Sequence, residues 1–451
     1  MAETPLISVA KFVFSHDNRL RRAMIALAMA GIFIDVWDLT SFSFTLASFR
    51  MAFHPGGLLL GFAVGSANIG AVVGALFGGL MTDRLGRRTM LIYNLLVFVV
   101  MAALQALSTS AVEFTAFRAV MGFGLGADVA TGFTYIYEFI STAQRKEVYP
   151  LWAYAFSMTA LLAVGLVLLL IHVAGYGPNT WRYPVAVGAA AALVVLIFRS
   201  RIPETPFWLA RTGRYREADE VLRSIYGESP NISGSAERAS GTLRPSIGAA
   251  LSSGKRGVLI FSTSLNVIVG IISWGFSFYI TYSLLELGLG GVTGSLYFDV
   301  PIYAAALAGG FLSSRLAFRY GTKHSATLPS FGIVASLFIA LLASLGILPR
   351  VVFVPMSALT LFLEYLGPMS YNAIVNHAFG SRFRGTVNGF NYMVNKVVEA
   401  LTGIAGGYVI SYFHVSVDIT IFLVLTLVFC IVAYTHSSNV ERIDPVGLES
   451  D

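Results

Sequence analysis

Twelve apolar segments, most of them at or beyond the roughly 20 residues a helix needs to cross a bilayer core, leave this chain little to fold into except a bundle of spanning helices. They run near 23–49, 57–81, 89–108, 111–141, 147–174, 181–198, 256–285, 294–318, 324–346, 351–380, 385–413 and 415–436. In lipid only helices and closed barrels pair every backbone N–H and C=O, and runs this long and continuous are helical. With 56% of the 451 residues hydrophobic and 12% charged, the composition also lies outside that of ordinary soluble domains. The expected fold class is an all-α membrane protein of twelve transmembrane helices.

The remaining charges are sorted by side. If connectors alternate between faces, Arg50, Arg182 and Arg350 lie at one face, Arg118 and Lys396 fall inside spans, and the rest of the 30 Lys and Arg gather at the other face. That asymmetry predicts a multi-pass protein of the cell membrane with both termini in the cytoplasm. The net charge of +6 therefore reads as topology, and without a basic face of interleaved aromatics no nucleic-acid partner is expected. The single cysteine, Cys430, sits in the last apolar run, which argues against a disulfide framework or a thiolate metal site. No Gly-rich phosphate loop, Ser/His/Asp arrangement or histidine pair at ligand spacing is present, so neither an enzyme nor a cofactor is expected. The polar start to Arg22 leads into a run too long for a signal core.

One long hydrophilic connector divides the chain into an N-terminal half (1–198), a linker (199–255) and a C-terminal half (256–451). The linker opens with an amphipathic stretch whose apolar set is Phe207, Trp208, Leu209, Ala218, Val221, Leu222 and Ile225, predicting interfacial helices. Residues 229–253 are Ser/Gly-rich and read as a flexible tether. The Asn231-Ile-Ser233 triplet matches a glycosylation acceptor, but its cytoplasmic position makes it incidental.

The turn Gly79-Leu-Met-Thr-Asp83-Arg84-Leu-Gly86-Arg87-Arg88 resembles the loop between the second and third helices of the major facilitator superfamily. Gly310-Phe-Leu-Ser-Ser-Arg315-Leu-Ala-Phe-Arg319-Tyr-Gly321-Thr-Lys323 is a worn copy that has lost its aspartate. Arg118-x-x-x-Gly122-x-Gly124-x-Gly126, Pro203-Glu204-Thr205-Pro206-Phe207-Trp208-Leu209 and Arg382-Phe-Arg384-Gly385-Thr386 add to the match and resemble the sugar-porter-related branch. The resemblance implies two pseudo-symmetric six-helix halves around a central cavity, working as a monomer in the bilayer by alternating access.

Within such a bundle every mid-membrane charge is a functional candidate, because burial costs at least about 2.5 kcal/mol each on insertion scales. The first span carries Asp35 and Asp38, the fourth Arg118 and Asp128, the tenth Glu364, and the eleventh Lys396 and Glu399 beside Asn388, Asn391 and Asn395. Carboxylates able to change charge suit proton coupling, and the one mid-depth lysine suits an anion. Ile34-Asp35-Val36-Trp37-Asp38-Leu39 and Gly122-Phe-Gly124-Leu-Gly126-Ala-Asp128 are similar to signatures of phosphate:proton and organic-acid:proton symporters, and Asn395-Lys396 falls where phosphate symporters carry a substrate lysine. That resemblance implies Asp35, Asp38 and Asp128 in proton coupling. It implies Lys396 as the anion ligand, and mid-depth position adds Asn391, Asn395, Glu364, Trp274, Tyr279 and Trp37 about the substrate. Gating or structural roles fall to Asp83, Arg84, Arg87, Arg88, Arg118, Glu138, Glu399, Arg382 and Arg384, with His377 in the same class.

The expected function is proton-coupled symport of a small anionic metabolite: an organic acid, a sugar acid or phosphate. The seventh span departs from phosphate symporters, offering Ser273, Trp274 and Ser277 but no acid, and from sugar porters in lacking a glutamine pair. Its aromatics, together with Trp152, Tyr154, Phe278 and Tyr282, suit an organic acid at least as well as bare phosphate. The alternatives are a sugar or polyol carrier, since the Pro203 and Arg382 segments occur across sugar porters, and a non-transporting sensor signalling through the linker. Lys396 and Glu399, three residues apart, could also neutralise each other, and Arg118 could pair with a first-half aspartate.

Overall fold

The computed structural model describes residues 5–16, 18–140, 142–230, 232, 255–368, 379 and 381–438, with side chains described throughout these except at 5, 32, 142–154, 314–323 and 381–385. The first half comprises α1 (Pro5–Ser15), α2 (Arg19–Phe53), α3 (Gly57–Leu85), α4 (Arg87–Leu107), α5 (Ala111–Phe139), α6 (Thr142–Ala174) and α7 (Arg182–Arg199). Two linker helices follow, α8 (Pro206–Arg211) and α9 (Tyr215–Tyr226). The second half begins with α10 (Arg256–Gly270), a π-helical turn (Ile271–Phe276) and α11 (Ser277–Glu286), which together make one span. It ends with α12 (Gly291–Ser344), α13 (Phe353–Leu366), α14 (Ser381–Tyr412) and α15 (Val415–His436).

Ten stretches among the described residues are long and apolar enough to cross a membrane. The two predicted spans not among them are the tenth, whose described helix stops at Leu366, and the eleventh, where α14 carries Asn391, Asn395, Lys396 and Glu399 along its middle. The eighth and ninth predicted spans both fall within α12, whose residues are helical on either side of the expected connector and through it, with separate apolar spans at Gly291–Ser313 and His324–Ser344. A straight 54-residue helix would measure about 80 Å, far beyond a hydrocarbon core of about 30 Å. It doubles back instead. Gly309 packs on the backbone of Phe362 while Gly332 packs on the neighbouring Leu363, and residues 23 apart on a straight helix could not both touch one turn of α13.

Helices α8 and α9 form where the amphipathic linker stretch predicts them. Thr205 caps α8 by accepting from Trp208 N, with Pro206 at the first helical position, the arrangement that suits both residues. On α9, Ala218, Leu222 and Ile225 are buried along one stripe and join Trp208, Leu209, Val9 and Val13 in an apolar cluster. This cluster sits at the face where α2 begins, here called the terminal face; the opposite one is the far face.

The two halves meet at the far face. Ser43 of α2 donates to Phe278 O at 2.9 Å, Arg50 donates to the Tyr282 hydroxyl, and Phe44 packs edge-on against Tyr303 at 5.5 Å. The first-half helix α3 lies against α14 through glycines. Gly407 faces Gly61, and a Cβ on Gly65 would stand 2.7 Å from the Ala400 carbonyl oxygen, so only small residues allow the backbones this close. The far side is thus closed through the outer parts of α2, α3, α11, α12 and α14.

Candidate functional site

The first half pairs its buried charges two by two. Arg118 lies 3.0 Å from Asp38 Oδ2, with both residues buried, and its guanidinium sits over the Phe42 and Phe114 rings at 4.6 and 5.7 Å. Gln105 Oε1 takes a longer bond from Arg118 at 3.4 Å. Nearer the terminal face, Asp128 holds Arg199 at 2.7 Å. Arg199 also donates to the Leu27 and Ala28 carbonyls at 3.1 and 2.9 Å. Asp35 and Asp128 line one cleft with Ala28, Val129, Gly132, Phe133 and Ile136. Although Asp35 and Asp38 start three residues apart, they point to different neighbours: one to the cleft, the other to Arg118. Trp37 lies on the α7 side, donating to Pro184 O at 2.9 Å.

A second cluster joins the halves. Lys396 and Glu399 form a pair at 2.6 Å, and the Lys396 ammonium rests over the rings of Trp274 and Tyr392 at 5.5 and 5.6 Å. From the first half, Asn68 reaches this pair. With its amide oriented to satisfy both neighbours, it donates to Glu399 Oε2 at 3.0 Å and accepts from Trp274 Nε1 at 2.5 Å. One buried first-half amide therefore meets an indole and a carboxylate from the second half, the carboxylate oxygen being the one that holds Lys396. The π-helical turn carries Trp274; its looser winding is a feature often found at functional sites.

The other predicted substrate residues, Asn395 excepted, do not converge on this point. Glu364 is bonded to Ser273 and not to Lys396. Asn391 accepts from Thr263 at 2.7 Å and Asn395 donates to Asn266 O at 3.3 Å, so both fasten α14 to α10; of the two, only Asn395 also bonds Glu399 of the central pair. The Tyr279 hydroxyl donates to Gly403 O at 2.6 Å.

At the terminal face the predicted gating residues form a clamp. Arg87 donates to Glu138 at 3.0 Å, to Asp83 at 3.2 Å and to Thr82 O at 3.1 Å, while Arg88 reaches Ser200 O at 2.8 Å. Arg84 is exposed. The organising group is Glu204. Its carboxylate accepts from the backbone N–H of Arg87 at 2.9 Å and of Arg88 at 3.2 Å, supplying the anion that the uncapped start of α4 favours. Gly86, at φ 99°, allows α3 to end and α4 to begin around that carboxylate. Burial pushes the Glu204 carboxyl above the usual glutamate range, against the pull of the Thr205, Arg88 and Arg87 N–H groups. The Trp208 indole donates to Asp83 O at 3.0 Å, which joins α8 to the same clamp. The side chains of Arg382, Arg384, Trp152 and Tyr154, and all of His377, lie outside the described residues.

Sequence reasoning did not single out Asn68, Arg199 or Asp299, and quoted Glu204 only within a motif. Asn68 is a lone amide in a Gly/Ala-rich span, and Asp299 a lone acid in an apolar one; the rule that buried polar groups need partners was the available signal. Arg199 was counted as the first linker residue, yet it is fully buried.

Comparison with known proteins fits this framework. The family model described as "Sugar (and other) transporter" matches residues 27–441. The chain is 29% identical over 213 residues to the inner membrane metabolite transport protein YgcS of Escherichia coli K12, covering 47% of this chain and 46% of that protein. It is 31% identical over 173 residues to the arabinose-proton symporter of Bacillus subtilis 168, covering 38% and 37%. The chain thus spans less than half the length of these curated relatives. Among solved structures, a partially occluded inward-open form of the xylose transporter XylE from E. coli superimposes with a TM-score of 0.75 at 18% identity, covering 92% of this chain and 97% of that one. The proton:xylose symporter XylE bound to 6-bromo-6-deoxy-D-glucose gives 0.69 at 19% identity, covering 92% and 95%. The fold is that of the major facilitator superfamily.

Proposed function

Since the chain belongs to the sugar (and other) transporter family, we propose that it carries a small polyhydroxylated metabolite, neutral overall, across the membrane together with a proton. The observation behind this reading is the Lys396–Glu399 pair at 2.6 Å. A lysine already neutralised by its own helix offers the cargo balanced donors and acceptors instead of a net positive charge. Lys396 and the Asn68 amide can donate to cargo hydroxyls, Glu399 can accept from them, and the Trp274 face can cover an apolar sugar edge. An arabinose-proton symporter and a proton:xylose symporter among the similar proteins support the same class.

The proton is assigned to Asp38, whose sole cationic partner among the described residues is Arg118. Protonation of Asp38 leaves Arg118 to Phe42, Phe114 and Gln105, and so ties the charge state of the first half to its packing. Asp35 and Asp128 form a second acidic position on the terminal side. In this reading the terminal face is cytoplasmic, as the basic residues favour, and the described state is closed to the outside. Glycine contacts between α3 and α14 make that closure, and their parting opens it.

A second reading, an anionic cargo, is favoured by the exposed part of Lys396, 14% of its side chain. There a cargo carboxylate would replace Glu399 on the ammonium while Asn68 retains Glu399. Thermal stabilisation of the purified protein separates the two, because a ligand that binds only the folded state raises its melting point. The neutral reading expects stabilisation by pentoses, hexoses or polyols that is lost in Asn68→Ala. Stabilisation by sugar acids, aromatic carboxylates or phosphate alone would replace it with the anionic one.

A further inference from the structure

The second half holds a buried polar seam that the central cluster leaves unused. Ser273, Ser277 and Thr281 recur every four residues along the π-helical turn and α11 and so share one face. Each meets a partner on another helix. Ser273 donates to Glu364 of α13, Ser277 and the Tyr303 hydroxyl of α12 lie 3.1 Å apart, and Thr281 donates to Asp299 Oδ2 of α12 at 2.7 Å. Four residues of helix rise about 6 Å, so the three rungs cover about 12 Å of a core of about 30 Å.

Packing alone gives no reason for this arrangement. Buried hydroxyls in helices commonly bond back to their own carbonyls, as Ser283 does to Tyr279 O and Ser330 to Ala326 O. Here two of the three reach across to carboxyls and the third to a phenol. Asp299 and Glu364 are each 0% exposed, and Asp299 Oδ1 and Glu364 Oε2 accept no hydrogen bond. Among the described residues neither carboxyl has a salt-bridge partner, a costly way to bury an acid. The seam also has two open ends. At the far face Thr281 lines a cleft with Ser43, Tyr282 and Ser295, and at mid-membrane Glu364 lies within electrostatic reach of Glu399.

We propose that Asp299, the Tyr303–Ser277 rung and Glu364 form a proton relay from the far-face cleft to the Lys396–Glu399 pair. A hydronium in the cleft gives its proton to the Thr281 hydroxyl, which lines the cleft and in the same step passes its own proton to Asp299 Oδ2. At each rung one O–H bond breaks on the donor and one forms on the acceptor, with a water bridging each rise of about 6 Å. The proton ends on Glu399, hydronium has become water, and no other covalent bond has changed. Lys396 keeps its protons, so the pair carries one positive charge only until Glu399 passes the proton on, and cargo meets the neutral pair described above. Around the seam, α13 contributes Tyr365, α14 contributes Lys396 and Glu399, and α15 contributes Asp418 beyond Tyr279. From α2 and α6 the rings of Phe44 and Phe156 face Tyr303 and Tyr365. The direction of proton flow rests on the proton-coupled reading above.

Time-resolved infrared spectroscopy after an acid jump, on the cargo-free full chain in lipid, follows carboxyl protonation directly. The Glu364 band is identified by its loss in Glu364→Gln. Tyr303→Phe removes one oxygen from the middle rung, and the arrival of the proton at Glu364 should slow by about 10²-fold, the low end of what a positioned proton donor contributes. Asp299→Asn should slow it likewise. An unchanged rate in both variants, or a Glu364 band that ignores the jump, overturns the relay. Should Asp299→Asn fail to fold, the wild-type protein in D2O decides: the relay requires an isotope-slowed Glu364 band, and an isotope-insensitive one rejects it. Without cargo in the assay, failure here leaves the carrier reading standing, whereas uptake indifferent to pH would remove the proton coupling itself.

Discussion

Replacing Gly61 by alanine should open the far face without unfolding the protein. Gly61 lies against the backbone of Ile404, with Gly407 packed on it from the same helix. A new Cβ at Gly61 would stand 3.0 Å from the Ile404 carbonyl carbon and Cα and still closer to its oxygen, where carbon contacts settle at about 3.5–4.0 Å. Helices α3 and α14 must therefore part by about 1 Å, and overpacking of this kind costs about 1–3 kcal/mol. The cost falls only on the state in which the halves touch, so the open-to-closed ratio should rise by about 5- to 150-fold. Ser43→Cys reports it, since Ser43 is buried in the closure against Phe278 O and the native Cys430 is buried elsewhere. Maleimide labelling from the far side should accelerate by that factor. Gly70→Ala is the control. It meets Gly122 and Phe123 backbone inside the first half, burdens both states alike, and should lower the melting temperature without changing the labelling rate. If Gly61→Ala behaves like Gly70→Ala, the α3–α14 contact is a fixed one and the gating account is wrong.

Arg118→Ala leaves the Asp38 carboxylate buried without its cation and should destabilise by about 3–5 kcal/mol; Asp38→Asn strands the guanidinium in turn, but that cation keeps the Phe42 and Phe114 rings and Gln105 and the cost should be smaller, and thermal unfolding in detergent compares the two. Exchanging Lys396→Glu with Glu399→Lys should restore most of the stability that either single change removes, whereas additive losses would mean that the pair is not coupled. The raised Glu204 carboxyl makes the folded state bind a proton that the unfolded chain releases. Between the ordinary glutamate range and that raised value its contribution to stability therefore falls as pH rises. The melting temperature of the wild type relative to Glu204→Gln should accordingly decline with pH across that window, and a flat difference would show that burial at Glu204 is not felt.

The long apolar helices were legible because bilayer thickness writes itself into run length. The charged turn at Gly79–Arg88 was legible because helix ends need polar partners. What escaped depended on meetings between distant residues. Glu204 sits in a recognised segment, but its service to the Arg87 and Arg88 amides follows only once α7 returns the chain to the start of α4. Arg199 looked like a linker residue since it closes an apolar run; its long side chain instead folds inward to Asp128 and the α2 carbonyls, the reach expected of arginine at a helix end. Trp37 and Tyr279 show the converse limit. Depth in the membrane follows from position in a span, but the facing of an aromatic does not, and both found backbone acceptors away from the central pair. The i, i+3 spacing of Lys396 and Glu399 was visible and correct as a possible mutual neutralisation, and that pair now weighs most in the choice of cargo.

Proton movement during uptake tests the central claim most directly. In proteoliposomes carrying a pH-sensitive dye, addition of the stabilising sugar or polyol should draw protons in the direction of cargo flow, and Asp38→Asn should abolish the proton signal while leaving binding measurable. Cargo accumulation with no proton signal, or an undiminished signal in Asp38→Asn, would contradict the account.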